Sequence, residues 1–322
     1  MPKDYNYRKQ NINNILSMSL EQKIEHAKNR IREFYTTQNG KVYIAFSGGK
    51  DSTVLLHLVR SIYPDVVAVF SNTTNEYLEI LQFVKTIDNV IELKPKMSFN
   101  QVVNNYGFPL VSKKVARQIH DLRNSTDNNV ASRNLYMTGI KRDGTISKSF
   151  KLSKKWHKLI YTDFNITNKC CDILKKDPFK TYEKESDLVP FVGTTIEESG
   201  LRKMSWLTTG CNSYDKDIKS RPISIFTEQN IWEYIKLNNL DYCEIYNDLL
   251  DDKGNIIVKK EVRTGCAYCS FGLHLEKSDL FELNRLQRLA IRKPHQHKRI
   301  MNLKNNGVTY REALKFIGVN NV

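Results

Sequence analysis

The chain has 322 residues, 40% of them hydrophobic, and a formal net charge of +15 from 50 Lys and Arg against 35 Asp and Glu. That length supports one large or two modest domains, and no run of about 18 apolar residues offers a membrane span. The N-terminus, Met1-Pro2-Lys3-Asp4-Tyr5-Asn6-Tyr7-Arg8-Lys9, lacks the apolar core of a secretion signal. A cytoplasmic location without a membrane partner is therefore expected. Six cysteines there point to metal binding or catalysis rather than to a disulfide framework. The charge excess has two readings: attraction to a polyanion such as tRNA or DNA, or a generally lysine-rich composition.

In chain order, Leu20 through Tyr35 carries Ile24, Ala27, Ile31 and Phe34 at helical spacing. Val42–Phe46 reads as a buried strand, followed by Ser47-Gly48-Gly49-Lys50-Asp51-Ser52 and a helix to about Ser61. A second strand is expected at Val66–Phe70, a helix at about Glu76–Thr86, a short strand at Val90–Leu93 and a helix near Phe99–Tyr106. Lys113 to Leu122 is a basic helical stretch. Residues 123–158 form a polar, basic insertion with a hairpin expected at Arg142-Asp143-Gly144. Leu188–Val192 reads as a late strand and Glu228–Asn238 as a late helix capped by Thr227. Strands alternating with helices predict an α/β fold, a doubly wound and mainly parallel sheet with a helical, basic C-terminal extension. The expected organisation is an N-terminal helical segment over 1–39, a main domain over 40–275 and a basic helical segment over 276–322.

Ligands of such sheets bind beyond the carboxyl ends of the strands. A strand, a glycine-rich turn and a helix N-terminus make a phosphate cradle there, with Lys50 adding charge and Ser47 and Ser52 adding hydroxyls. The same rule places Asn72 and Thr73, after the second strand, beside the loop. The spacing is not that of a Walker A loop. SGGKDS resembles instead the PP-loop of the ATP pyrophosphatase superfamily, whose members split ATP between its α and β phosphates.

The six cysteines are Cys170, Cys171, Cys211, Cys243, Cys266 and Cys269. Cys170-Cys171 plus the CxxC at Cys266 and Cys269 supplies four thiolates. Adjacent residues on a helix diverge by about 100°, so both members of the pair reach one centre only at a helix end or turn. Cys211 is the substitute if Cys170 cannot. The segment from Cys170 to Pro178 resembles the CC…K…P motif of adenylylsulfate reductases. Gly193 to Arg202 resembles that family's next motif, and Arg221 to Ile235 its late strand–helix unit. The resemblance, spanning residues 40–275, is to the phosphoadenylylsulfate (PAPS) reductase-like branch of the PP-loop superfamily.

The resemblance implies nucleotide binding by residues 47–52, Asn72, Thr73 and Arg202. It implies a [4Fe–4S] cluster on Cys170, Cys171, Cys266 and Cys269, with Zn²⁺ as the alternative metal. Lys50 and Asp51 are the expected catalytic pair, Asp51 as a Mg²⁺ ligand directly or through water. An intact SGGKDS is the form found in ATP-consuming relatives, and no cysteine follows Cys269. Both features favour an ATP pyrophosphatase-type sulfurtransferase, served by a sulfur- or electron-donor protein, with nucleic acid as the expected acceptor. Adenylyl sulfate as ligand of a sulfonucleotide reductase is the alternative, and a non-catalytic nucleotide- and nucleic-acid-binding subunit the third. Oligomerisation stays open. On the C-terminal segment, Arg285, Arg288 and Arg292 share a helix face with two readings, one that tracks phosphates and one that is a solvated basic face. His295 and His297 are expected at the surface.

Overall fold

A computed structural model describes residues 4–215, 217–276, 283–320 and 322, so part of the expected C-terminal segment, residues 277–282, lies outside the described residues. Two compact units divide the chain. One comprises residues 1–72, 77–94 and 178–246; the other comprises 73–76, 95–177 and 247–322.

The first unit is built on a six-stranded sheet. Its strands are β1 (Val42–Phe46), β2 (Ala68–Ser71), β3 (Val90–Leu93), β5 (Val189–Val192), β6 (Asn212–Ser213) and β7 (Lys219–Ser220). Their order is β3-β2-β1-β5-β7-β6, parallel throughout except for the β6–β7 pair. Ile44 faces Ala68 on one side and Phe191 on the other, so β1 is central and near-continuously apolar, as a doubly covered strand must be. The chain proceeds from β1 outward to β2 and β3, then returns to β1's other flank with β5. The carboxyl end of β1 is therefore the topological switch point, where ligands of open α/β sheets bind. Around the sheet lie α1 (Tyr5–Leu16), α2 (Leu20–Thr37), α3 (Lys50–Arg60), α4 (Leu78–Val84), α8 (Asp177–Ser186), α9 (Gly200–Thr209) and α10 (Glu228–Leu237). A capping box at Ser19 starts α2, which buries Ala27, Ile31 and Phe34. Thr227 caps α10 by accepting from the Asn230 N–H.

The second unit carries β4 (Leu110–Val111), paired in parallel with β10 (Ser270–Phe271), and a small hairpin of β8 (Leu249–Leu250) and β9 (Ile256–Val258). Its helices are α5 (Phe99–Tyr106), α6 (Lys113–Arg123), α7 (Val130–Thr138), α11 (Arg285–Arg292), α12 (Pro294–Met301) and α13 (Tyr310–Phe316), with a further hairpin of β11 (Lys304–Asn305) and β12 (Val308–Thr309). The Tyr310 hydroxyl, fully buried, donates toward the Tyr268 carbonyl at 2.8 Å and lies 2.9 Å from Ser270 Oγ. Stacked on Phe108 at 5.0 Å, it ties the C-terminal helix to β10.

The three α11 arginines are structural, which corrects the reading of a phosphate-tracking face. Arg288 makes a bidentate pair with Glu261, both contacts 2.7 Å. Arg285 pairs with Glu276 and donates to the Phe271 carbonyl, and Arg292 donates to the carbonyls of Asn247 and Lys259. Because Glu261 is buried, Arg288→Ala should cost about 3–5 kcal/mol by stranding its charge. Urea unfolding measures this, and Arg288→Ala with Glu261→Gln should recover part of the loss. His297 is also buried, against the Tyr268 ring, rather than at the surface. Trp156 is buried in the core. No helix among the described residues is long and apolar enough to cross a membrane.

Candidate active site

The first unit holds the loop at the end of β1. Gly48 adopts φ +69°, and a Cβ there would meet Val84 Cγ2 at 2.9 Å and Ile80 Cγ2 at 3.0 Å. Only glycine fits this turn, because both the backbone and the space reject a side chain. Gly49 is the N-cap of α3 and supplies no side-chain cap; at this end the Lys50 N–H donates to the Tyr246 hydroxyl at 3.3 Å and the Gly49 N–H to Ser47 Oγ at 3.4 Å. Ser47 and Ser52 brace the turn: their hydroxyls lie 3.0 Å apart, the Ser47 N–H donates to Ser52 Oγ, and Ser52 Oγ donates to the Gly49 carbonyl at 2.8 Å. The two serines thus shape the loop in addition to offering donors.

Lys50 is 1% exposed. Its Nζ lies 3.4 Å from Asp51 Oδ2, 3.2 Å from Glu228 Oε2 and 5.3 Å from the centre of the Tyr246 ring. A buried ammonium needs such partners. Glu228 is itself positioned: its backbone N–H donates to Glu197, and Trp232 Nε1 donates to its other oxygen at 3.1 Å. Gly193 packs on the first turn of α3, where a Cβ would come 3.1 Å from Ser52 Cα. Glu228, Tyr246 and Gly193 had no assigned role in the sequence. Gly193 and Glu228 lie in quoted motifs, whereas nothing local marks Tyr246.

Arg202, on the first turn of α9, pairs with Glu198. It lines a cavity of about 310 Å³ with Thr194, Ser205, Lys219 and Arg221. Asn72 is held away from a simple ligand role by a 2.9 Å bond from its Nδ2 to Glu92.

Thr73 belongs to the second unit, where its buried hydroxyl donates to Glu76 at 2.7 Å and lies 3.9 Å from Cys266 Sγ. The Cys266–Cys269 turn is anchored by Asn75: its carbonyl accepts from the Ala267 N–H at 2.6 Å and its side chain from the Tyr268 N–H at 3.0 Å. The Cys269 N–H closes the turn on the Cys266 carbonyl. Cys170 and Cys171 lie immediately before a π-helical turn, Asp172–Lys176, that runs into α8. Such wide turns recur at functional sites and re-aim side chains that regular helical geometry would splay.

All four cysteines lie in this unit and interact electrostatically with one another. The hydrogen bond from Cys170 holds the Cys171 thiol down, to about 6, against burial and with help from Lys113 and Lys175; the same bond, with burial, pushes Cys170 up. Burial raises Cys266 to about 12 although Lys175 opposes it, and burial raises Cys269. Burial pulls Lys175 down, but Cys266, Glu76 and Cys171 outweigh it and push it up, so its proton is held on. The unit therefore places a cation near the sulfurs of Cys171, Cys266 and Cys269. Lys175 lies within the Cys170–Pro178 segment and Glu76 at the start of an expected helix, and no local pattern marks either as a neighbour of the cysteines. Among the described residues, no three His, Cys, Asp or Glu side chains already converge on one ion. Cys211 lies in the first unit, buried with its sulfur 3.2 Å from Ser224 Oγ and 3.5 Å from His26 Nε2. Cys243, also in that unit, is buried.

A glycine turn at the switch point of a mainly parallel sheet defines an α/β fold with a candidate anion cradle at the end of β1. Residues 41–143 and 117–270 match the phosphoadenosine phosphosulfate reductase domain, and the chain belongs to that family. An uncharacterized protein of Methanocaldococcus jannaschii is 24% identical over 250 residues, covering 76% of this chain and 46% of that protein. Adenosine 5'-phosphosulfate reductase of Bacillus cereus is 26% identical over 100 residues, 29% of this chain and 43% of the enzyme. The chain spans less than half the length of these curated relatives. Among solved structures, PAPS reductase of Candida auris aligns with 82% of this chain and 98% of its own at 11% identity and a TM-score of 0.40. FMN adenylyltransferase of Candida glabrata aligns with 76% of this chain and 67% of its own at 12% identity and a TM-score of 0.40.

Proposed function

We propose that the protein is an ATP pyrophosphatase-type sulfurtransferase. The observation that carries this reading is the loop itself: an SGGKDS turn with a left-handed Gly48, an α3 N-terminus without a side-chain cap, and Lys50 buried beneath it. Backbone N–H groups of residues 47–52 hold the β and γ phosphates, those of Ser47, Gly49 and Lys50 by exchanging their bonds to the Ser52, Ser47 and Tyr246 hydroxyls for phosphate, and Lys50 neutralises charge growing on the departing pyrophosphate. Before ATP enters, Glu228 and Asp51 occupy that ammonium; the nucleotide takes over their role, and Asp51 is then free to bind Mg²⁺ directly or through water. An acceptor oxygen attacks the α-phosphorus, the P–O bond to pyrophosphate breaks, and the acceptor becomes adenylylated. A sulfide from a donor protein then displaces AMP, forming the new bond to sulfur as the bond to the AMP oxygen breaks. Arg202 and its cavity provide cationic contacts for the nucleotide.

The kind of donors in the second unit supports an iron–sulfur cluster, four thiols within electrostatic reach of one another and Lys175 offsetting thiolate charge, although they do not already converge on one point. Cys170, Cys171, Cys266 and Cys269 would hold it, and a bound cluster supplies a site that takes up and activates sulfide. Cys170 is favoured over Cys211 as fourth ligand because its electrostatic neighbours are the other three cysteines. A second reading, a sulfonucleotide reductase acting on adenylyl sulfate or its 3′-phosphate, is supported by the family and the Bacillus cereus relative. Isothermal titration with ATP and with adenylyl sulfate separates the two. Micromolar ATP binding with weak adenylyl sulfate binding is expected, and the reverse order favours the reductase.

A further inference from the structure

We infer that the insertion hairpin of the second unit is a nucleic-acid-binding surface. The charge excess is not spread through the chain, as a lysine-rich composition alone would leave it. The first unit carries 20 Lys and Arg against 20 Asp and Glu; the second carries 30 against 15, so the whole +15 resides there. Within that unit the α11 arginines are consumed by Glu276, Glu261 and backbone carbonyls. The insertion is different. Residues 123–158 hold nine Lys and Arg against two Asp. Arg123 and Arg133 are turned to internal acceptors, and Lys158 donates to the Phe316 carbonyl. Lys141, Arg142, Lys148, Lys151, Lys154 and Lys155 are all exposed, and none of them forms a salt bridge among the described residues.

The scaffold beneath them is ordered by its own bonds. Ile140 and Ile146 pair across an antiparallel bridge, the Lys141 N–H donates to the Thr145 carbonyl at 2.9 Å, and Asp143 accepts from both the N–H and the hydroxyl of Thr145. The one acid at the tip is thus committed to the turn. Ile146 is 73% exposed and Phe150 47% exposed, interleaved with the cations. A tight turn closed by one bridge presents its cations to the phosphates of a nucleic acid, with the Phe150 ring beside them for sugar or base contact. The exposed Ile140 and Ile146 are cross-strand partners on one face, so an anionic membrane is the competing occupant that the vesicle arm of the test addresses. The inference is independent of the reaction at the loop, and its test contains no ATP.

The test is fluorescence anisotropy of the full chain with labelled tRNA, a 20-base-pair DNA duplex and anionic phospholipid vesicles, between 50 and 300 mM salt. The variant is Lys141→Gln with Arg142→Gln, Lys148→Gln and Lys151→Gln. Its control removes four exposed first-unit lysines, Lys180, Lys184, Lys203 and Lys236, also to Gln. The hairpin variant should lower the salt slope by roughly three to four, at about 0.9 per lost phosphate contact, and weaken binding at low salt by about tenfold or more. The control should leave the slope unchanged. The relative affinity for tRNA and duplex identifies which polymer the surface serves. Equal loss in both variants, no loss in the hairpin variant, binding only to vesicles, or no nucleic-acid binding at 50 mM salt would each overturn the inference. Unchanged far-ultraviolet circular dichroism excludes misfolding as the cause.

Discussion

Lys50→Ala is expected to lower the rate of ATP cleavage by about 10²-fold or more while the protein stays folded. The ammonium is buried against Asp51, Glu228 and Tyr246 at the N-terminus of α3, where β and γ phosphates would lie on the proposed function. Its effect should fall mainly on turnover, because charge grows on the leaving pyrophosphate as the bond to the α-phosphorus breaks. Lys50→Arg should not restore activity: the site is closed around a compact ammonium, and a planar guanidinium needs a different width. Glu228→Gln keeps the volume and the Trp232 contact but weakens the hold on Lys50. Its smaller expected loss tests whether Glu228 positions the ammonium, and rapid-quench measurement of pyrophosphate release quantifies all three variants. Equal turnover in Lys50→Ala and the unaltered chain would remove the lysine from the mechanism.

The second large effect concerns the cysteines. After anaerobic isolation, iron and acid-labile sulfide are expected in cluster proportion. Cys171→Ser, Cys266→Ser or Cys269→Ser should each remove most of both. Cys170→Ser should do the same, whereas Cys211→Ser and Cys243→Ser should leave the iron in place, since those two are buried in the other unit. Lys175→Ala leaves four thiols but takes away the cation near them, so the expected result is a cluster that assembles yet is lost faster in air. Stoichiometric zinc without sulfide would replace the cluster by a structural metal site. Iron analysis and the visible absorption spectrum distinguish these outcomes.

Much of the first unit was legible because its signals are local. Val42–Phe46 is an unbroken apolar run ended by a glycine turn, and the strand has those limits. Val90–Leu93 likewise falls where its pattern places it, as does Phe99–Tyr106 in the second unit. The second strand begins two residues later than expected, because the Val66 N–H is spent on a turn to the Tyr63 carbonyl. Strands of two residues, such as Asn212–Ser213 and Lys219–Ser220, are too short to show a period. The π-helical turn after Cys171 was hidden for another reason: its residues suit any helix, and the extra residue per turn leaves no compositional mark.

The misread arginines show the limit most plainly. Spacing places Arg285, Arg288 and Arg292 on one face, but whether that face meets solvent depends on Glu261 and the carbonyls of Asn247 and Lys259, far away in sequence. The charge partition was hidden similarly, because the second unit is assembled from three separated stretches. The hairpin at Arg142-Asp143-Gly144, by contrast, follows from its own turn residues.

The reaction at the loop is tested most directly by the products formed from α-³²P-labelled ATP with Mg²⁺ and the purified chain, resolved by thin-layer chromatography. The account predicts labelled AMP and an equal amount of pyrophosphate, formed slowly without acceptor and abolished with Gly48→Val, whose side chain has no room beside Val84 and Ile80. Labelled ADP, or intact ATP alongside tight binding of adenylyl sulfate, would contradict it.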